Sequence, residues 1–294
     1  MEKIDLHMHS TNSDGAYSTS ALLNMCEERD LNVVSITDHD SVQAYFDIKE
    51  NNIKFNGKII PGVELSFNKD GSLYDVLGYG IDVNLVNDWL NHIYSHKKLI
   101  ENQTRILEEM KALYKSLNIK IANDLTIKTG KKAEAYNLVK LSALTFEENK
   151  NVAPELFGEM FYKRYHTNKN SKFFINETQN LPSLKECLEI IHNAGGISSL
   201  AHPGAYGFSE AEMEEFINYA IKSGVKAIEL KYNCHTPEQE KIITKLAKKH
   251  NLLLTGGSDF HGGKIKPQVE LGKVYNNTYI LKTDVEDFLN KLHY

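Results

Sequence analysis

The sequence predicts an α/β fold in which repeated strand–helix units build a parallel, barrel-like sheet interrupted by a helical insertion. Three observations carry this. Short apolar runs of strand length alternate with amphipathic stretches of helix length toward both ends of the chain. Between them, from Val86 to about Phe174, the strand rhythm gives way to helical spacing. Histidines and carboxylates recur where the strands end, the rim at which a βα barrel collects its chemistry.

In chain order, Lys3–Met8 is short, apolar and alternating, and Ser20–Arg29 reads as a helix. Asn32–Thr37 is a buried strand followed by a helical Ser41–Glu50. Lys58–Phe67 and Ser72–Tyr79 are further strands. Val86, Leu90, Ile93, Ile100, Leu107, Met110, Leu113 and Leu117 then recur at helical spacing. Ala133–Phe146 and Pro154–Tyr165 also look helical. The rhythm returns at Gly196–Ala201, Val225–Lys231 and Leu252–Thr255, with helices Ser209–Ser223 and Thr236–His250 between them. This predicts residues 1–85 and 175–294 as the barrel and 86–174 as an insertion that covers the active site. The insertion has no Pro/Gly/Ser linker, and no internal repeat is visible.

With 294 residues, 41% apolar and 25% charged, the composition is that of a soluble globular protein. No apolar run of spanning length exists, and the first residues lack the layout of a signal peptide. Three scattered cysteines, Cys26, Cys187 and Cys234, make neither a disulfide framework nor a zinc knuckle, so a reducing cytoplasm is expected. The net charge of −5 argues against an extended duplex DNA surface. Its distribution is uneven: residues 1–95 carry 6 basic and 15 acidic side chains, whereas residues 96–140 carry 10 basic and 5 acidic. That second stretch is either a solvated helical face or a basic cover over an anionic substrate.

His7 and His9 form an H-x-H pair at the end of the first strand, where alternation puts both imidazoles on one face. Similar residues follow at other strand ends: Asp38-His39-Asp40, Glu64, Asp75, His202, and Asp259 with His261. Imidazoles mixed with carboxylates suit zinc, iron or manganese rather than calcium or magnesium alone. Such ions can lower the pKa of bound water to about 7, and a pair of them can clamp both oxygens of a displacement at phosphorus. No serine elbow, P-loop or G-x-G-x-x-G offers a rival chemistry.

Asp5-Leu6-His7-Met8-His9-Ser10, Thr37-Asp38-His39, Gly62-Val63-Glu64, Ala201-His202-Pro203 and Ser258-Asp259-Phe260-His261 together resemble the ordered motifs of the PHP (polymerase and histidinol phosphatase) family. The resemblance spans the barrel and not the insertion. It implies a distorted (β/α)7 barrel and a site for two or three ions of manganese, zinc or iron. By resemblance, His7, His9, Glu64 and Asp259 hold one ion. Glu64 bridges to a second ion held by His202 and Asp75, and Asp14, His39 and His261 hold a third. Glu64, Asp259 and His202 are then the candidate catalytic residues. Asp14, in Ser13-Asp14-Gly15, would otherwise read as a turn carboxylate. Position 75 departs from the pattern, because small-molecule members usually carry histidine before this Val-Leu-Gly-Tyr.

Val76–Asp82 and Asn233–Gln239 resemble the branch acting on nucleoside 3′,5′-bisphosphates and short 5′-phosphorylated RNA. His235, which follows the strand Val225–Lys231, is then expected to contact phosphate; Arg105 and Lys97 sit on the basic helix, where they either reach a phosphate or form a solvated face. The Arg-Pro-His-like segment of that branch is missing; its nearest counterpart is Lys131-Lys132-Ala133-Glu134-Ala135. His92 and His96 are spaced i, i+4 but lack the glutamate of H-E-x-x-H and read as surface. His166, His192, His250 and His293 carry no motif. The expected activity is metal-dependent hydrolysis of phosphate esters on a small nucleotide-type substrate. The alternatives are a histidinol-phosphate phosphatase and a non-catalytic metal-binding module.

Overall fold

The computed structural model describes residues 2–131, 133–158, 161–263, 265–274 and 277–292, so Lys132 and His293 lie outside the described residues. Contacts divide the chain into two compact units. One comprises Met1–Lys69, Leu73–Leu90 and Pro182–Tyr294; the other comprises Asp70–Ser72 and Asn91–Leu181.

In the first unit, β1 (Lys3–Met8), β2 (Leu31–Ile36) and the two-residue β3 (Lys58–Ile59) form a parallel sheet. Helices α1 (Thr19–Glu28) and α2 (Gln43–Glu50) connect these strands. A second sheet has the order β4 (Gly62–Lys69), β5 (Ser72–Tyr79), β6 (Ile197–Leu200), β7 (Ala227–Lys231) and β8 (Leu253–Gly256). The sheet is mixed: β6, β7 and β8 are parallel, but β5 runs antiparallel to β6. The reason is local. β4 returns into β5 through Asp70-Gly71, whose φ angles of 52° and 75° are both positive. A two-residue turn of that kind makes a hairpin, whereas a parallel pair needs a long crossover.

Helix α3 (Val83–Ile93) follows β5. The second unit is built on α4 (His96–Ser116), α5 (Glu134–Leu144) and the single turn α6 (Asn149–Val152). Its own apolar core includes Ile106, Met110, Tyr114, Val139, Phe161 and Phe173. Buried polar side chains tie its loops down. The Gln103 carbonyl accepts from Ala135 N–H at 2.9 Å, and Asn149 Nδ2 donates to the carbonyls of Lys120 and Ala143, each at 2.8 Å. The expected helix over Pro154–Tyr165 is instead a 3-10 turn at Pro154–Phe157 and a π-helical turn at Tyr162–His166.

The chain returns to the first unit with α7 (Leu184–Asn193), α8 (Glu210–Ser223) and α9 (Pro237–His250). Each starts with a reciprocal capping box, Ser183 with Glu186, Ser209 with Glu212 and Thr236 with Gln239, which satisfies N–H groups that the helix cannot. The small antiparallel pair β9 (Lys273–Val274) and β10 (Thr278–Tyr279) and the turn α10 (Glu286–Leu289) complete the fold. None of the described helices is long and apolar enough to cross a membrane.

The strands do not close into the barrel expected from the sequence; they form open sheets of three, five and two strands. Among the described residues the three- and five-stranded sheets meet at two single bridges, Met8 with Phe260 and His39 with Glu64. At both seams a neighbouring strand has already ended, β1 at Met8, β2 at Ile36 and β8 at Gly256. On one side of each seam, at Phe260 and at His39, the chain has already left its strand.

Candidate metal centre

β1 places Asp5 and His7 on one face and Ile4, Leu6 and Met8 on the other, and the whole run Ile4–Ser10 is buried. The Asp5 carboxylate accepts from Ser258 N–H at 2.9 Å, Ser258 Oγ at 2.5 Å and Gly272 N–H at 2.7 Å. That anchors the loop carrying Asp259 and His261 beside His7 and His9. The backbones there are so close that a Cβ on Gly257 would lie 2.1 Å from His7 Cβ. Asp38 does the same for the next loop. It accepts from Ser10 N–H, Ser10 Oγ and Ser13 Oγ, each at 2.7 Å, and so holds the turn that presents Asp14.

Nine side chains converge on the site. His7 Nε2 lies 3.0 Å from Glu64 Oε2 and 3.6 Å from Asp259 Oδ1, and His9 Nε2 lies 3.2 Å from each of the same two oxygens. His202 Nε2 meets the other oxygen of Glu64 at 3.0 Å. His39 Nδ1 is 3.4 Å from Glu64 Oε2 and 3.9 Å from Asp75 Oδ1. His261 Nε2 is 3.1 Å from Asp14 Oδ1, and His9 Nδ1 is 3.8 Å from that oxygen. Three groups have ligand atoms within 4.8 Å of one another: His7, His9, Glu64 and Asp259; His9, Asp14, His39 and His261; and His39, Glu64 and Asp75.

The donor set fits divalent ions. Both nitrogens of His9, Nδ1 of His39 and Nδ1 of His202 are buried without a hydrogen-bond partner. Buried polar atoms are costly to leave unpaired, and lone pairs aimed into a ring of carboxylates are what a cation would take. The electrostatics agree. Burial alone would depress the His9 imidazole, but the Asp259 and Glu64 carboxylates outweigh it and raise its pKa to about 9. Burial alone would raise Glu64, yet His39, His7 and His202 hold it well below the usual carboxylate range. At Asp75 the balance is reversed: burial, then the charge of Glu64, outweighs His202 and the Ser66 hydrogen bond and pushes it up to about 7. Burial pushes His39 down to about 4. Carboxylates packed this densely need protons or a metal to balance them.

Comparison with known proteins agrees with this geometry. The PHP domain matches residues 5–197. The chain belongs to the PHP family. A 5'-3' exoribonuclease of Haemophilus influenzae is 30% identical over 88% of this chain and 90% of its own length. A 3',5'-nucleoside bisphosphate phosphatase of Chromobacterium violaceum is 24% identical over 89% of this chain and 88% of its own. A solved amidohydrolase from Chromobacterium violaceum, with bound sulfate and no metal, superposes with a TM-score of 0.63 at 19% identity, covering 97% of this chain and 96% of that one. The last shows the PHP-type fold. This PHP-family chain is a metal-dependent phosphoesterase.

The structure groups the PHP residues somewhat differently from the sequence expectation. His202 reaches Glu64 but joins none of the three groups among the described residues; His39 instead lies with Glu64 and Asp75. His9 faces two groups with different nitrogens, and a neutral imidazole has one lone pair to give. His235, expected at phosphate, has both ring nitrogens engaged within the protein. It is buried, its Nδ1 donates to Leu230 O at 2.9 Å and its Nε2 accepts from Gly204 N–H at 3.2 Å. Burial also lowers its pKa and keeps it neutral. Arg105 spends its guanidinium within the helical unit, on Glu109 at 2.7 Å, Asn102 at 3.0 Å and Asn176 O at 3.1 Å. Lys97 is exposed beside Glu101.

Sequence reasoning missed three residues that serve the ligands. Tyr232 Oη and Lys266 Nζ both donate to Asp259 Oδ2, at 2.9 Å and 2.6 Å, leaving Oδ1 to face the histidines. Glu229 is wholly buried against His7. Its one trace in the sequence is a lone carboxylate inside the apolar run Ala227–Leu230. Tyr232 and Lys266 leave no trace at all.

Proposed function

We propose that this PHP phosphoesterase hydrolyses phosphate esters of nucleotide-type substrates, either a nucleoside 3′,5′-bisphosphate or a short 5′-phosphorylated RNA, with two or three manganese, zinc or iron ions. The observation that carries the reading is the sharing of Glu64: it belongs both to the group with His7, His9 and Asp259 and to the group with His39 and Asp75, so one carboxylate ties neighbouring cation sites together. Bound divalent ions supply Lewis-acid charge stabilisation and an acidified water. The chain's own residues do the rest. His7, His9 and Asp259 fix one site against Glu64, and Asp14, His39 and His261 fix another. Asp75 and His202 complete the ring. Without an ion, burial and the charge of Glu64 raise the Asp75 carboxyl to about 7, so taking up a cation there would release its proton.

The substrate class draws on two relatives, a 5'-3' exoribonuclease and a 3',5'-nucleoside bisphosphate phosphatase. It also draws on the surplus of basic residues in the sequence at 96–140, 10 basic to 5 acidic, which suits a substrate with a second phosphate. The test is kcat/KM for adenosine 3′,5′-bisphosphate, a short 5′-phosphorylated RNA and histidinol phosphate, with manganese, at low and high salt. The nucleotide substrates should win, by a margin that shrinks as salt screens exposed charge over about 8–10 Å. Faster turnover of histidinol phosphate at both salts would replace the substrate assignment.

A further inference from the structure

We propose that Glu229 is a positioning residue of the metal centre, holding two ligands at once through two different bonds. The proposal rests on the reading that His7 and His202 face cations. Glu229 lies on β7 with none of its surface exposed. Oε1 is 3.0 Å from His7 Nδ1, and Oε2 accepts from His202 N–H at 2.9 Å. Both oxygens are spent, and Glu229 belongs to none of the three ligand groups.

The first bond fixes the histidine's chemistry. An acceptor at Nδ1 keeps the proton on that nitrogen, so the lone pair sits on Nε2, the atom that faces Glu64 and Asp259. The second bond fixes a strained backbone. His202 has φ 24°, outside the comfortable range for an L residue, and it precedes Pro203. Such a conformation persists only where surroundings impose it, and a buried carboxylate on its N–H supplies that constraint. One side chain therefore sets the tautomer of a ligand on β1 and the position of a ligand after β6.

A carboxylate is required because both partners are donors. In Glu229→Gln the amide offers one acceptor and one donor. If its oxygen faces His202 N–H, its NH2 meets His7 Nδ1 and favours the tautomer with hydrogen on Nε2, which cannot bind a cation. If its oxygen faces His7, two N–H groups confront each other at His202. Either way one ligand is misplaced.

The test is zinc affinity of chelator-stripped protein, measured by competition with a chromophoric chelator, beside the Tm of the metal-free protein. E229Q should bind zinc about 10- to 100-fold more weakly, and excess metal should restore kcat with little change in KM. Weak binding by the wild type as well would sink the metal-centre reading itself. Tight wild-type binding matched by E229Q would overturn only the role of Glu229, as would a lower metal-free Tm with unchanged affinity. Ring 15N NMR of the zinc-loaded wild type gives an answer even if the variant fails to fold. His7 should carry its proton on Nδ1 and its ion on Nε2, and the opposite arrangement overturns the proposal.

Discussion

Glu64 concentrates the chemistry of the site in one side chain. It is fully buried, with three histidines around one oxygen or the other within 3.2 Å and His39 at 3.4 Å. Replacing Glu64 with Gln keeps the volume and removes the charge, so hydrolysis should be abolished while circular dichroism stays native. A folded variant that still turns over substrate would end its bridging role. Asp75→His restores nitrogen at a position now raised to about pH 7 by burial and by Glu64; zinc should then compete better against manganese in paired titrations, and an unchanged preference would place residue 75 away from the ions. The His9 shift sets a pH dependence. Its folded pKa lies above the unfolded value, so its contribution in metal-free protein is complete below about 6.5 and disappears as pH rises through about 9. Metal-free Tm should fall across that window, and a metal-loaded sample should not follow it. The candidate ligands His7, His9, His39, Glu64, His202, Asp259 and His261 were legible because they follow strand ends in order, whereas Asp14, in a turn, came only with the family resemblance. What positions them was not. Tyr232, Lys266 and Glu229 act through hydrogen bonds across 7 to 222 residues of chain, and no local pattern encodes a pairing at that range.

At the scale of elements, the strand ends matter more than the strands. Helix starts were readable because capping has a local signature: Ser209 and Thr236 were placed at the first residues of their helices, and both prove to be N-caps. Strand direction was not readable. The β4–β5 hairpin turns on Asp70-Gly71, yet the surrounding run of βα units favoured parallel pairing throughout. Loop approach was also hidden, since Gly257 looks like ordinary loop glycine until His7 is placed beside it. Gly257→Ala tests that approach. Its Cβ would fall 2.1 Å from His7 Cβ, so either β1 or the Asp259 loop must shift, at a cost of about 1–3 kcal/mol. Lower Tm together with reduced zinc uptake is expected; unchanged uptake would mean the two segments can part without disturbing the ligands.

The whole molecule is two units with separate cores, and all nine candidate ligands belong to the unit that also contains Trp89. Trp89 is the only tryptophan in the chain, so its fluorescence follows that unit, while amide hydrogen exchange in α4 and α5 reports on the helical one. An ion present at 100 times its Kd stabilises the folded state by about 2.7 kcal/mol. Chelation should therefore lower the melting temperature seen by tryptophan and leave amide protection in α4 and α5 in place. A common shift in both signals would show the two units melting as one.

The single-bridge seams give the ions a second consequence. His7, His9 and His39 come from the three-stranded sheet and its ends, whereas Glu64, Asp75, His202 and Asp259 come from the five-stranded sheet and its ends. Any cation shared between those sets is a cross-link, riveting two sheets that backbone pairing among the described residues joins at Met8–Phe260 and His39–Glu64. The amides of Asp259 and Asp40, which donate across the seams, should then exchange hydrogen for deuterium much more slowly once metal is bound, while amides inside the β6–β7–β8 ladder keep their rates.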